Sequence, residues 1–185
     1  AKSPKVLGVD PSLSSSGYAY YQGKTLVTGV ITTEQLRGPH RLFYIRLMLS
    51  KVLDQAQPTL VVFEDYAMSN RANNMFHIGE LGGVLKTFIW ERGIDYLLIP
   101  PATMKSAIAL NGRAEKSAIA TALQVRFGIR TKQQDEADAV GLMLLGEMRT
   151  GARKVDPESA KSGRFEAVMQ CPLVKGKLQL ISNHK

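Results

Sequence analysis

Two short apolar runs each end on a carboxylate, and this pairing constrains the fold more than any other feature of the chain. "KVLGVD" at 5–10 closes on Asp10, and "TLVVFE" at 59–64 closes on Glu64. Runs this short and this apolar read as buried strands, covered by helices on both faces. After Asp10 the chain breaks at Pro11, a serine cluster and Gly17. It then resumes as two strands, 17–22 and 25–31, separated by Gly23 and Lys24, a pair suited to a tight hairpin. Residues 39–57 carry Leu42, Ile45, Leu49 and Leu53 at helical spacing, and Pro58 ends that helix. The run at 59–64 is read as a strand parallel to the first. A long helix over 70–92, a strand over 94–99, helical segments over 103–109 and 114–127, and a last helix over 135–148 complete the pattern. Three strands followed by alternating helices and strands predict an α/β fold, a mixed five-stranded sheet flanked by helices.

The length of 185 residues suits one domain, placed at 1–150, with 151–185 as a C-terminal appendage or flexible tail. Hydrophobic residues make up 44% of the chain, enough for a real core. The formal charge of +8 indicates a polyanionic partner, although solubility alone also accounts for it. A single cysteine, Cys171, excludes an internal disulfide and argues against structural zinc. His40, His77 and His184 are scattered, without metal-ligand spacing. No apolar run reaches membrane-spanning length and no signal peptide precedes the first strand, so a soluble, cytoplasmic protein is expected.

In such folds ligands collect where strand ends meet helix starts, and the acids fall at those places. Asp10 and Glu64 end strands that emerge at one sheet edge if they are adjacent. Alternation puts Leu60, Val62 and Glu64 on one face and Asp65 on the other, which makes Asp65 a bystander. In "DEADAVGLMLL", Asp135 and Asp138 are three apart and share a helical face, with Glu136 turned about 100° aside. Each acid also has a plainer role open to it: Asp10 in a turn, Asp135 at a helix N-terminus, Glu64 as a paired charge. Asp138 sits where the helix turns apolar, and a buried unpaired carboxylate is costly. Four converging carboxylates call for divalent cations, and hard oxygen ligands suit Mg²⁺ or Mn²⁺. Two such ions about 4 Å apart can clamp the oxygens of a phosphodiester, which with the basic charge indicates a nuclease.

The segments "GVDPSLSSSGYAY", "VVFEDYA", "PPATMKSAIALNGRAEKSAI" and "DEADAVGL" resemble, in order and separation, the motifs of the RuvC Holliday-junction resolvases. The likeness runs from about Lys5 to Met148. It implies a ribonuclease H-like fold, a homodimer, and Mg²⁺-dependent cutting of four-way DNA junctions that leaves 5′-phosphate and 3′-hydroxyl ends. By motif position the catalytic metal ligands are Asp10, Glu64, Asp135 and Asp138, with two ions per site. The family's lysines before the last helix fall on Lys105 and Lys116, with Arg113 between them. Cellular members carry an aromatic three residues after the strand-end glutamate; here that place is Ala67, and Tyr66 is the nearest aromatic. Tyr66 and Phe76 are the candidates for base contact. Arg71, Arg130, Lys132, Arg149, Arg153 and Lys154 are further candidates for backbone contacts. The region after Gly151 is unlike cellular members and points to a phage variant, acting at the nucleoid or in an infected host's cytoplasm. Gly79, Gly82 and Gly83 mark the long helix as a dimer surface or, equally, a site of internal packing.

Two other readings share these features. One is a ribonuclease H-like nuclease acting on other branched DNA or on RNA–DNA hybrids. The other is a junction-binding protein without catalysis, against which the complete acidic set argues. A sugar-kinase or actin-like ATPase needs a duplicated domain and far more chain.

Overall fold

A computed structural model describes residues 4–65 and 72–177. Its sheet is built from β1 (Val6–Asp10), β2 (Ser15–Gln22), β3 (Thr25–Thr32), β4 (Leu60–Glu64), β5 (Asp95–Ile99) and β6 (Leu173–Val174). The helices are α1 (Gly38–Ala56), α2 (Ala72–Glu91), α3 (Pro101–Ala109), α4 (Lys116–Phe127), α5 (Gln134–Thr150), α6 (Pro157–Lys161) and α7 (Arg164–Met169). Strand order is β3-β2-β1-β4-β5-β6. β1, β4 and β5 run parallel, β2 and β3 run antiparallel to their neighbours, and β6 closes the far edge antiparallel to β5. A two-residue turn joins β2 to β3, pairing Gln22 with Thr25, and Gly23 supplies the positive φ of 63° that it needs.

Strand alternation divides the core into two. Leu7, Val9, Val61 and Phe63 pack under α1 and α2 with Ile45, Leu49, Leu81, Leu85 and Ile89. Val6, Leu60, Val62, Leu97 and Ile99 face the other way, under α3, α4, α5 and α7. Helix α5 is the most deeply placed, because the sheet beneath it is stripped of side chains. A Cβ on Gly8 would lie 2.1 Å from the Ala139 carbonyl oxygen, and one on Gly17 would lie 1.9 Å from that of Asp135. Gly146 repays the favour from the helix side, where a Cβ would lie 2.5 Å from Val62.

The expectation of five strands needs correction, since β6 adds a sixth. It falls in the stretch read as an appendage or tail, and its two residues leave no alternation to read. Residues 151–177 form α6, α7 and β6, and their Phe165, Val168 and Cys171 enter the core beneath α5. Burial pushes the Cys171 thiol up, so it packs as a small hydrophobe.

One buried cation ties this segment down. Arg126 of α4 donates to the Ile108 carbonyl at the end of α3 and forms an ion pair with Asp156, both side chains being largely buried. Asp156 in turn caps α6 by accepting from the Ser159 N–H at 2.9 Å. Ser159 Oγ donates to the Ala107 carbonyl at 2.5 Å. Removing one partner of such a pair strands the other charge. Arg126→Met is therefore expected to lower unfolding free energy by about 3–5 kcal/mol, measured by chemical denaturation. Loss of less than about 1 kcal/mol would mean that the pair is effectively solvated.

Candidate functional site

The acidic edge is assembled by register. β1 and β4 pair in parallel through Val9 and Phe63, and one further step sets Asp10 beside Glu64. Both are half-buried and lie on the α5 face, by the same alternation that puts Val6, Leu60 and Val62 there. Asp10 is also the antiparallel partner of Gly17, on which the Asp135 backbone rests. The start of α5 is thus set down on the strand next to Asp10. Only glycine at position 17 permits that approach.

Asp135 and Asp138 are both half-buried in the first turns of α5, and each is held by a neighbour. Ser15 Oγ donates to Asp135 Oδ2 at 2.6 Å, and Gln134 Nε2 donates to Asp138 Oδ1 at 3.0 Å. Hydrogen bonds of this kind orient carboxylates that serve as ligands. Asp65 follows the end of β4, and its N–H bonds the Ile99 carbonyl at 2.9 Å. Among the described residues, no group of three or more His, Cys, Asp or Glu stands as a ready-made metal-holding set. The carboxylates share an edge without forming a closed cage.

Glu136 lies off the Asp135–Asp138 face but is no solvated bystander. It is 6% exposed, and its Oε2 accepts the Lys132 N–H at 3.0 Å, bracing the turn into α5. Burial, with Tyr20 and then Glu136 nearby, pushes the Tyr18 phenol above its ordinary value.

Two features are not legible in the sequence. Ser15 belongs to the serine cluster after Asp10, yet its Oγ reaches Asp135, 120 residues along the chain. Its place two before Gly17 on the same strand face was the available signal. Ser16 does serve the turn, donating to the Ser12 carbonyl at 2.7 Å. Lys86 of α2 lines a small cleft with Pro11, Glu64, Asp65 and Gly82, bringing a cation beside the acids from outside their motifs.

The basic candidates spread along α3 and α4. Lys105 is half-buried on α3, and Lys116 opens α4. Arg113 is exposed in the turn between them, its N–H bonded to Asn111 Oδ1 at 3.0 Å. Arg149 and Arg153 serve structure, donating to the Val168 carbonyl and to Glu147. Phe76 stands 75% exposed on α2. Tyr66, Ala67 and Arg71 lie outside the described residues. Gly79 and Gly83 face open space, so neither is there for packing within the described residues.

Comparison with known proteins accords with this geometry. The family described as "Crossover junction endodeoxyribonuclease RuvC" matches residues 6–145. Proteins of that name from Cutibacterium acnes and Rickettsia bellii are similar to this chain. The first is 29% identical and covers 89% of each chain; the second is 30% identical and covers 74% of this chain and 92% of its own. Among solved structures, Thermus thermophilus RuvC in complex with Holliday junction substrate superposes with a TM-score of 0.68. It is 23% identical, over 81% of this chain and 95% of that one. The shared architecture is ribonuclease H-like, a mixed sheet flanked by helices, here with six strands. Among the described residues, no helix is long and apolar enough to cross a membrane. The chain belongs to the crossover junction endodeoxyribonuclease RuvC family.

Proposed function

We propose that the edge formed by Asp10, Glu64, Asp135 and Asp138 is the active site with which this endodeoxyribonuclease resolves four-way DNA junctions. The observation that carries the reading is the seating of Asp135 on Gly17, beside Asp10. It supports the reading by setting the first turn of α5 against β2, next to the strand end that carries Asp10. The donor set is chemically suited to a hard divalent cation, Mg²⁺ or Mn²⁺, since every candidate ligand is a carboxylate oxygen. A pair of such ions, when bound, would supply charge stabilisation for the attacking and leaving oxygens of an in-line displacement.

The chain's own groups do the rest. Asp10 and Glu64 present their oxygens from adjacent strand ends, and Ser15 and Gln134 fix the carboxylates of α5. Lys105, Arg113 and Lys116 hold backbone phosphates of the bound strand, positioning the substrate without reading its sequence. Tyr66, Phe76 and Arg71 are assigned to the DNA side of the same region. The acting form is a homodimer, whose two-fold symmetry matches that of a four-way junction and sets two cuts in paired strands. The open glycines of α2 mark a helix face suited to that contact. The place of action is the cytoplasm, on nucleoid or phage DNA. Residues 1–150 carry the nuclease site, and 151–185 are an appendage whose described part packs into the same sheet and core.

The test is cleavage of a labelled synthetic junction, mapped at nucleotide resolution, beside an RNA–DNA hybrid duplex. Paired nicks at symmetric positions are expected in Mg²⁺ and none in EDTA, with the hybrid left intact. Preferential cutting of the hybrid would replace this reading with a general ribonuclease H-like one.

A further inference from the structure

On the opposite face of the sheet from α5, a cavity of about 340 Å³ opens between the loop after β1 and the first turns of α1 and α2. It is lined by Leu13, Arg37, Gly38, Arg41, Leu42, His77 and Glu80. Its volume is in the range of small-ligand sites, and its walls are unusually cationic for one. Two guanidiniums and an imidazole face one carboxylate, and that carboxylate, Glu80, is engaged by His77 Nδ1 at 3.1 Å.

The walls are braced. Thr33 donates from Oγ1 to the Leu13 carbonyl at 2.6 Å and from its N–H to the Ser14 carbonyl at 3.1 Å. The Leu36 N–H bonds the Thr33 carbonyl at 2.8 Å, and Arg41 Nε donates to the Leu36 carbonyl at 2.7 Å. That last bond aims the Arg41 side chain while leaving its terminal nitrogens for another acceptor. Arg37 is exposed beside it. The cavity is also close to the acids. Leu13 is three residues after Asp10, at most about 11 Å away at ~3.8 Å per residue. A DNA strand bound at the acids therefore passes this cavity within a few nucleotides.

We infer that Arg37 and Arg41, with His77 on the rim, form a phosphate-binding cleft that holds the junction strand within a few nucleotides of the cut. The inference rests on the proposed function and deepens it. The DNA is held by cations on both faces of the sheet, by the α3–α4 segment on one side and by this cleft on the other. Fork-shaped guanidiniums suit phosphate oxygens bidentately, and the contact carries position rather than sequence.

The experiment measures junction affinity in EDTA across a salt series for wild type, Arg37→Ala, Arg37→Lys and Arg41→Ala. Arg37→Ala is expected to flatten the plot of log affinity against log salt by about 0.9, the value of one lost phosphate contact on duplex DNA. Arg37→Lys retains the slope. Because Arg41 also braces Leu36, its variant is read only alongside its melting curve. A second arm replaces single phosphates near the cut by neutral methylphosphonates. One replacement within four nucleotides of the cut weakens wild type and leaves Arg37→Ala indifferent. An unchanged slope in Arg37→Ala, or equal interference in both proteins at every position, overturns the cleft. Failure of the wild type to prefer a junction over a plain duplex of the same length would instead overturn the junction reading, whatever the slopes show.

Discussion

Asp10→Asn and Glu64→Gln each abolish junction cutting while leaving junction binding close to wild type. The two carboxylates end adjacent parallel strands, and under the proposed function they would act on the reacting phosphate through a divalent cation. Affinity for DNA comes mostly from contacts between cations and phosphates elsewhere, so it survives the change. Loss of a main electrostatic stabiliser in a reacting site costs roughly 10²–10³ in rate or more. Nicking in Mg²⁺ and gel-shift titration in EDTA, run on the same preparations, separate the two effects. A variant that cuts at the wild-type rate loses its place in the site. One that neither cuts nor binds points to a misfolded edge rather than missing chemistry.

Gly17→Ala has the largest effect expected away from those acids. The added methyl carbon would lie 1.9 Å from the Asp135 carbonyl oxygen and 2.4 Å from its carbon. Both atoms belong to backbone, so no side chain can rotate to relieve the overlap. α5 has to lift from β2, which takes Asp135 away from Asp10 and opens the core beneath Val140 and Leu144. Overpacking of a tight core costs about 1–3 kcal/mol and more where backbone must move. The variant is expected at the top of that range in chemical denaturation, with cutting lost even in the fraction that folds. Gly8→Ala meets the Ala139 oxygen at 2.1 Å and the Met143 nitrogen at 2.6 Å, and should behave alike. Full stability in both would mean that α5 does not rest on the sheet as described.

Much of this arrangement could be read from local pattern. "KVLGVD" and "TLVVFE" declared buried strands, and β1 and β4 are buried over all but their closing acids. The three-residue step from Asp135 to Asp138 gave a shared face, since helical period is a local property. What escaped depended on distant partners. The Ser15–Asp135 hydrogen bond joins residues that only the fold makes neighbours, and Lys86 approaches the acids from a helix outside their motifs. Glu136 could be turned off the ligand face by geometry, but its burial depended on the turn packed behind it. The sixth strand was hidden for another reason. Its two residues gain their conformation from the open side of β5, not from any propensity of their own.

That short strand also bears on how the chain is made. β5 is a strand with one side covered by β4, and until residues 172–174 arrive its other side shows bare amide and carbonyl groups. Unpaired edges recruit other chains, and nascent proteins are most exposed to this while still incomplete. The Leu98 N–H bonded to the Pro172 carbonyl, and Asp95 bonded to Lys175 and Gly176, act as a late-fitted seal. The open side of β5 is thus available to other chains from the time residues 95–99 emerge until residues 172–174 follow and cover it.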